Sequence, residues 1–262
     1  MIVHDFSFAE HARDFDRHIR DSILGRTDLD DMFVRLSQRF VQNYTTVIDI
    51  GCSTGALLRA IRDANQDRRR SVSYLGIDVE RGFSEHWRAR RARNVRFRIC
   101  DARSFDGYEN LSLACSLFTL QFIPERDRLS LLRRVCDGLI EGGALIIAEK
   151  VLANSARFQD ALTFDYYDFK LQNFSAQEIL DKERSLRGQM ALWDETRLRD
   201  ALRDAGFQPA VQGFWRSYFF VAMVAMKGPP LTPLNVMPIG IGNEFPRQAL
   251  VPDGNRWAGD PA

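Results

Sequence analysis

The stretch "VIDIGCSTGALLRAI", residues 47 to 61, opens as an apolar strand, turns on Gly51 and Gly55, and closes as a helix. Its second half sets Leu57, Leu58 and Ile61 on one face at spacings of three and four. Glycines let the backbone bend sharply and approach a ligand closely, and the start of a helix offers free N–H groups. Gly51, Cys52, Ser53 and Gly55 are therefore candidate ligand-binding positions.

Working outward, the same unit recurs. Apolar runs at 72–78 ("VSYLGID"), 111–122 ("LSLACSLFTLQF") and 143–151 ("GALIIAEKV") are each followed by turn residues and a helical pattern, and "NVRFRICD" at 94–101 alternates. Strands apolar on both faces that alternate with helices predict an α/β fold, with a parallel sheet covered on both sides. "ERDRLSLLRRVCDGL" supplies a helix with Leu129, Leu132, Val135 and Leu139 on one face, and "DETRLRDALRDAGF" supplies another. Two last strands, "PAVQGFWRS" and "YFFVAMVAMK", meet so closely at Arg216-Ser217 that they must pair antiparallel. Residues 152–190 interrupt the alternation as a long, aromatic-rich helical segment. Beyond Lys227, seven of the nine prolines fall between 229 and 261, so the tail, 228–262, continues neither sheet nor helix. This divides the chain into an N-terminal helical cap (1–40), a nucleotide-binding-like domain (41–227) with its helical insertion, and the tail.

At 262 residues and 45% hydrophobic content, the chain suffices for one large core. No apolar run reaches the ~18 to 20 residues of a membrane helix, and the N-terminus lacks the order of a secretory signal. Cys52, Cys100, Cys115 and Cys136 form no CxxC pair and read as reduced thiols of a cytoplasmic protein. His4, His11, His18 and His86 show no metal-ligand spacing. The net charge of +1 gives no general attraction to nucleic acid, although the basic residues are 32 Arg and only 4 Lys. Arg88, Arg90, Arg91, Arg93, Arg96 and Arg98 crowd one stretch, which reads as a solvated face in preference to an RNA-binding patch.

Acids at the ends of the next two strands sharpen the ligand. Asp78 follows Gly55 by 23 residues, near the ~20-residue spacing at which a carboxylate binds ribose hydroxyls, and Asp101 ends "RFRICD". The turn lacks the third glycine of GxGxxG, and no P-loop is present. A nucleoside is the expected ligand.

"DIGCSTG", "GIDV" and "CDA", with the closing antiparallel strands, resemble the class I S-adenosylmethionine-dependent methyltransferases. The resemblance covers about residues 40 to 227 and implies a Rossmann-like, mostly parallel seven-stranded sheet with an antiparallel last strand and a helical lid. It implies S-adenosylmethionine (SAM) as cofactor, with its methionine part beside Gly51 to Gly55. Asp78 and Val79 would then lie at the ribose and Asp101 and Ala102 at the adenine. "GCSTG", "FTLQFIPERDRLSLLRRV" with "EGGALIIAEK", and "DFKLQNFSAQEILDKERSL" are more narrowly similar to carboxy-S-adenosylmethionine synthases of the tRNA wobble-uridine pathway. That family works on SAM and prephenate, and the likeness implies Arg184 as the group that binds the new carboxylate. A guanidinium suits the task, because it offers two parallel donors. Two positions depart from the family pattern: Leu117 stands where an Asn is usual, and Arg26 where a Tyr is usual. Leu117 removes a donor and an acceptor from the cofactor pocket.

The expected activity is carboxy-SAM synthesis or altered chemistry on that scaffold. Three alternatives stand beside it: a small-molecule methyltransferase, a cyclase that releases methylthioadenosine, and a non-catalytic cofactor- or RNA-binding protein. Phe164, Tyr166, Tyr167, Phe169 and Phe174 suit either a surface facing the sulfonium or a helical interface of a homodimer. Tyr166 and Tyr167 join Arg184 as candidate catalytic positions.

Overall fold

The alternation of strands and helices is realised in a computed structural model that describes residues 15 to 228. Residues 1–14 and 229–262, which hold His4, His11 and the Pro-rich segment, lie outside the described residues. In chain order the elements are α1 (Phe15–Ser22), α2 (Arg26–Phe40), β1 (Thr46–Ile50), α3 (Ala56–Asn65), β2 (Ser73–Asp78), α4 (Ser84–Ala89), β3 (Val95–Ile99) and β4 (Leu111–Leu117). They continue as α5 (Glu125–Gly138), β5 (Leu139–Lys150), α6 (Ala156–Lys170), α7 (Ala176–Leu186), α8 (Glu195–Asp204), β6 (Val211–Ser217) and β7 (Phe220–Met226).

One seven-stranded sheet runs in the order β3-β2-β1-β4-β5-β7-β6. The pairings from β3 to β5 are parallel, while β7 lies antiparallel to both β5 and β6. Strand order therefore reverses between β1 and β4, which start from the middle of the sheet and run outward. Ligands bind at such a switch point, outside the carboxyl ends of the strands.

Both faces of the sheet are covered, as the unbroken apolar strands predict. Val47, Leu113 and Ile146 pack with Phe33, Leu58 and Ile61 on one side. Their chain neighbours Ile48, Ala114 and Leu145 pack with Leu132, Leu198 and Leu202 on the other. This is the two-residue alternation of a strand buried on both faces. All four cysteines are free, and three of them are buried. The six clustered arginines from Arg88 to Arg98 are all exposed, as a solvated face requires. No helix among the described residues is long and apolar enough to cross a membrane.

Two local expectations are corrected. The run 111–122 is not one strand: β4 stops at Leu117, Phe118 takes a left-handed φ of 58°, and Leu120–Phe122 form a 3-10 turn. Glu149 from β5 ends the strand, since its buried carboxylate accepts the N–H groups of Thr119, Leu120 and Gln121 at 3.2, 2.8 and 3.0 Å. The β6–β7 hairpin turns on Tyr218-Phe219 rather than Arg216-Ser217, because both of the latter still pair within β6.

Candidate functional site

The carboxyl ends of β1 to β5 open into a cavity of about 410 Å³, within the ~300 to 1,000 Å³ usual for small-molecule sites. Every turn at that edge contributes: Asp49 and Gly51 to Thr54 after β1, Asp78 to Glu80 after β2, Asp101 to Arg103 after β3, Leu117 to Thr119 after β4, and Lys150 at the end of β5. α1, α6 and α7 close it from above.

The turn after β1 has the conformation its glycines predict. Gly51 and Gly55 hold φ of 73° and 75°, where an L side chain is strained. A Cβ on Gly51 would overlap the Thr119 side chain, and one on Gly55 would overlap the Phe97 ring. Asp78 then locks the turn to the next loop. One carboxylate oxygen accepts the Ser53 N–H at 2.8 Å and the other the Glu80 N–H at 2.9 Å. Burial pushes its carboxyl up, and these two bonds pull against that shift. Trp87 donates from its indole nitrogen to the Ser53 carbonyl at 2.8 Å and stacks on Phe97, which packs the turn from outside.

Asp101 is engaged by Arg103, whose guanidinium lies 2.7 Å away and whose N–H donates at 2.8 Å; this holds the Asp101 carboxyl below its ordinary value. Asp49 is deeper, 2% exposed, and burial together with neighbouring Asp78 pushes its carboxyl up to about 7.

The roof is tied down by polar contacts. Thr54 donates to Asp16 of α1 at 2.9 Å, and Tyr166 of α6 donates to the Ser22 carbonyl at 2.8 Å. The Tyr166 ring lies 5.7 Å from the Lys150 ammonium and 5.5 Å from that of Lys170.

Of the positions singled out from the sequence, Gly51, Cys52, Ser53, Asp78, Val79, Asp101, Ala102, Leu117, Tyr166 and Arg26 all line this cavity. Gly55, Tyr167 and Arg184 do not. Gly55 acts one step back, as the left-handed cap of α3. Tyr167 is half-buried beside Tyr166. Arg184 points to solvent, with its side chain 70% exposed and 3.2 Å from Asp181. The cause is helical geometry. Lys182 and Leu186 of α7, four apart, face the cavity with Glu183, whereas Arg184 sits about 200° around the helix from Lys182. The same rule on α6 turns Tyr166 and Lys170 inward and leaves Phe164 64% exposed.

Sequence reading missed Asp49, Lys150, Lys170, Lys182 and Glu183. Asp49 carried a signal, an acid inside a buried strand. The lysines carried another, their rarity in an arginine-rich chain. Among the described residues, no group of His, Cys, Asp and Glu could hold a metal ion.

This edge fits a nucleoside that carries a charged tail, with Asp78 able to receive ribose hydroxyls and Asp49 able to face a cation. Comparisons agree with the architecture. A methyltransferase-domain family model matches residues 47–143. Human N-acetylserotonin methyltransferase, solved with SAM, aligns with a TM-score of 0.52 at 16% identity, over 76% of this chain and 52% of that one. A putative O-methyltransferase from Nostoc punctiforme aligns with a TM-score of 0.56 at 15% identity, over 84% and 60%. These two show the fold alone. Sequence relatives go further. The carboxy-S-adenosyl-L-methionine synthase of Methylococcus capsulatus is 32% identical over 230 residues, 85% of this chain and 94% of the relative, and that of Shewanella baltica is 32% identical over 236 residues, 86% and 94%. With likeness at that level running from the glycine turn through the lid, the chain belongs to the carboxy-S-adenosyl-L-methionine synthase family.

Proposed function

We propose that the protein binds SAM at the β1–β4 edge and converts it to its carboxylated sulfonium, using a carboxylate-bearing co-substrate of the prephenate type. The observation that carries this reading is the shape of the cavity. A nucleoside end built on Asp78 and Asp101 is continuous, within one cavity, with a far end lined by Tyr166, Lys150, Lys170 and Lys182. Bound SAM supplies an electrophilic, acidifiable S-methyl group. The chain's own residues orient the nucleoside through Asp78, exclude water with the α1 roof, and place Lys150, Lys170 and Lys182 with Glu183 at the far end of the cavity.

Mass spectrometry of purified protein with SAM, with and without prephenate, tests the proposal. A co-substrate-dependent product heavier than SAM by one CO2, a carboxyl group replacing one methyl hydrogen, is the expected result. S-adenosylhomocysteine formed only with an added acceptor would overturn it in favour of methyl transfer. One observation favours a second reading, cyclisation of SAM. Leu117 on the cavity wall offers the methionine end neither donor nor acceptor, and Arg184 is not on the wall to receive a new carboxylate. Methylthioadenosine released without any co-substrate would select that reading.

Asp49 makes binding pH-dependent. Its carboxyl is raised to about 7 in the free protein, and a cation beside it favours the ionised form. SAM, with its sulfonium and ammonium, therefore lowers that value on binding and displaces a proton. Affinity is expected to rise as pH increases toward about 7, by at most ~10-fold per pH unit, and to level off above it. Calorimetry in buffers of different ionisation enthalpy should show proton release in the wild type and a clearly smaller release in Asp49→Asn, where Lys182, itself lowered to about 7, still titrates.

A homodimer and a cytoplasmic setting complete the proposal. Phe158, Phe164, Leu171 and Leu180 place exposed apolar surface on the outer faces of α6 and α7, and the free thiols suit a reducing compartment.

A further inference from the structure

A second cavity, of about 300 Å³, opens at the opposite edge of the sheet, beside the amino ends of β2 and β3. Arg62, Gln66, Arg69, Tyr74, Arg93 and Asn94 line it. They come from the end of α3, the loop that follows it, β2, and the turn before β3. The larger cavity lies at the carboxyl ends of the same strands, and the two share no lining residue.

Two donors at this second cavity are unmet. Tyr74 is 3% exposed and belongs to the core cluster of Val47 and Ile61, yet its hydroxyl has no hydrogen-bond partner among the described residues. Arg69 Nε is buried and equally without a partner, although another nitrogen of that guanidinium donates to the Gln38 carbonyl at 3.4 Å. Burial, opposed by the nearby charge of Arg62, pushes the Tyr74 phenol up to about 12, so at neutral pH it keeps its proton and can donate. Buried polar groups are nearly always paired, so two orphans in one place call for a cause. The end of α3 does not supply it. A helix C-terminus draws arginines, and its carbonyls are already satisfied: Arg62 accepts the Gln66 N–H at 2.9 Å, and Asn65 accepts those of Arg68 and Arg69 at 3.0 and 2.9 Å. Nothing in that arrangement requires a buried tyrosine hydroxyl.

The missing partner is an acceptor, because a guanidinium nitrogen only donates. The exposed Arg93 makes no ion pair with a described residue, Arg62 gives one nitrogen to Asp63 at 2.5 Å, and Asp67 is the one acid among the described lining residues. Donors arriving from several elements suit a tetrahedral group with several oxygens. A terminal phosphate presents three free oxygens and enters end-on, whereas a phosphodiester presents two and is tethered on both sides. Beyond Tyr74 the lining holds no aromatic ring on which a base could stack, and Gln66, Ser71 and Asn94 suit the hydroxyls of a sugar.

We infer that this cavity is a second ligand site, which binds a small polar phosphate monoester through Arg62, Arg69, Arg93 and the Tyr74 hydroxyl. The long, rotatable side chains of Arg62 and Arg69 re-orient on the phosphate and let it reach the phenol. Binding here is independent of the reaction at the carboxyl edge.

Calorimetry on the full chain, with S-adenosylhomocysteine present to occupy the larger cavity, tests the site. Ribose 5-phosphate should bind with a Kd below about 1 mM, and at least about 10-fold more tightly than ribose. Tyr74→Phe, which removes one oxygen, should weaken it about 5- to 10-fold, and Arg69→Met about 10-fold or more. Arg96→Met, in the exposed basic stretch outside the cavity, should leave it within about twofold. Melting separates a ligand site from a structural one. Without phosphate, Tyr74→Phe should melt no lower than wild type, because its hydroxyl has no partner to lose; ribose 5-phosphate should then raise the Tm of wild type more than that of the variant. An RNA oligonucleotide with a 5′-phosphate should compete, and the same oligonucleotide with a 5′-hydroxyl should not. Equal competition by the two would overturn the monoester assignment. The site itself would be overturned by no phosphate binding at about 10 mM, by wild-type affinity in Tyr74→Phe and Arg69→Met, or by a clear loss of Tm in phosphate-free Tyr74→Phe.

Discussion

Asp78→Ala is expected to weaken SAM binding on the order of 100-fold, measured by calorimetry or by competition with S-adenosylhomocysteine. A carboxylate that accepts hydrogen bonds from two ribose hydroxyls contributes charge-assisted bonds worth ~1.5 to 3 kcal/mol each, and about 2.7 kcal/mol corresponds to that factor. Asp78 has a second role, which raises the cost. It holds the Ser53 and Glu80 N–H groups at 2.8 and 2.9 Å, so its removal also loosens the turn that receives the ligand. Asp78→Asn is no conservative change, because its amide NH2 must face one of those two N–H donors. Both variants should keep the fold, since each freed N–H lies at the cavity, within reach of water. Undiminished SAM affinity in a folded Asp78→Ala protein would remove this edge of the sheet as the cofactor site.

Glu149→Ala is expected to cause the largest loss of stability, about 4 kcal/mol, and to lower Tm by roughly 10 °C. Glu149 is 3% exposed, and its two oxygens accept three consecutive N–H groups of the loop after β4. Each buried donor left without a partner costs ~1 to 3 kcal/mol. Arg128 of α5 depends on the same loop. Fully buried, it donates to the carbonyls of Ile123, Gln121 and Ala191 at 2.7, 3.2 and 2.6 Å and lies 4.7 Å from the Trp193 ring. Removing Glu149 thus also takes a compensating charge from a buried guanidinium. The measurement belongs at pH 8, above the value of about 7 to which burial pushes the Glu149 carboxyl. Glu149→Gln should give an intermediate loss, because its amide turns one acceptor into a donor facing an N–H. A melting temperature within about 2 °C of wild type in both variants would show that water replaces the carboxylate.

The function of the loop follows from that anchor. Thr119 donates to the Ile50 carbonyl at 3.0 Å and fills the space that a side chain on Gly51 would need. Glu149 on β5 therefore fixes the floor of the glycine turn after β1 through an intermediate loop. Its place in "IIAEK" reads only as an acid interrupting an apolar run; three N–H partners 28 to 30 residues away are not visible in the chain.

By itself the sequence determined the sheet, the turn and the edge at which the cavity opens. Those features are local: period-two apolar runs, glycines at a left-handed bend, and acids that fall at strand ends because strand length places them there. "VIDIGCSTGALLRAI" is one such unit, and its neighbours Asp78 and Asp101 stand on the cavity wall where the spacing put them. Which lid residues face inward was decided only by the tertiary structure. The rotation of α6 and α7 about their axes is set by how Tyr166 and Ile179 bury, and that rotation turns Lys170, Lys182 and Glu183 toward the cavity and Arg184 toward solvent. A helix presents adjacent residues about 100° apart, so a one-residue difference in facing separates a cavity-lining carboxylate from an exposed guanidinium. Strand register follows from the chain's own pattern, but helix facing on a lid follows from packing against a distant surface.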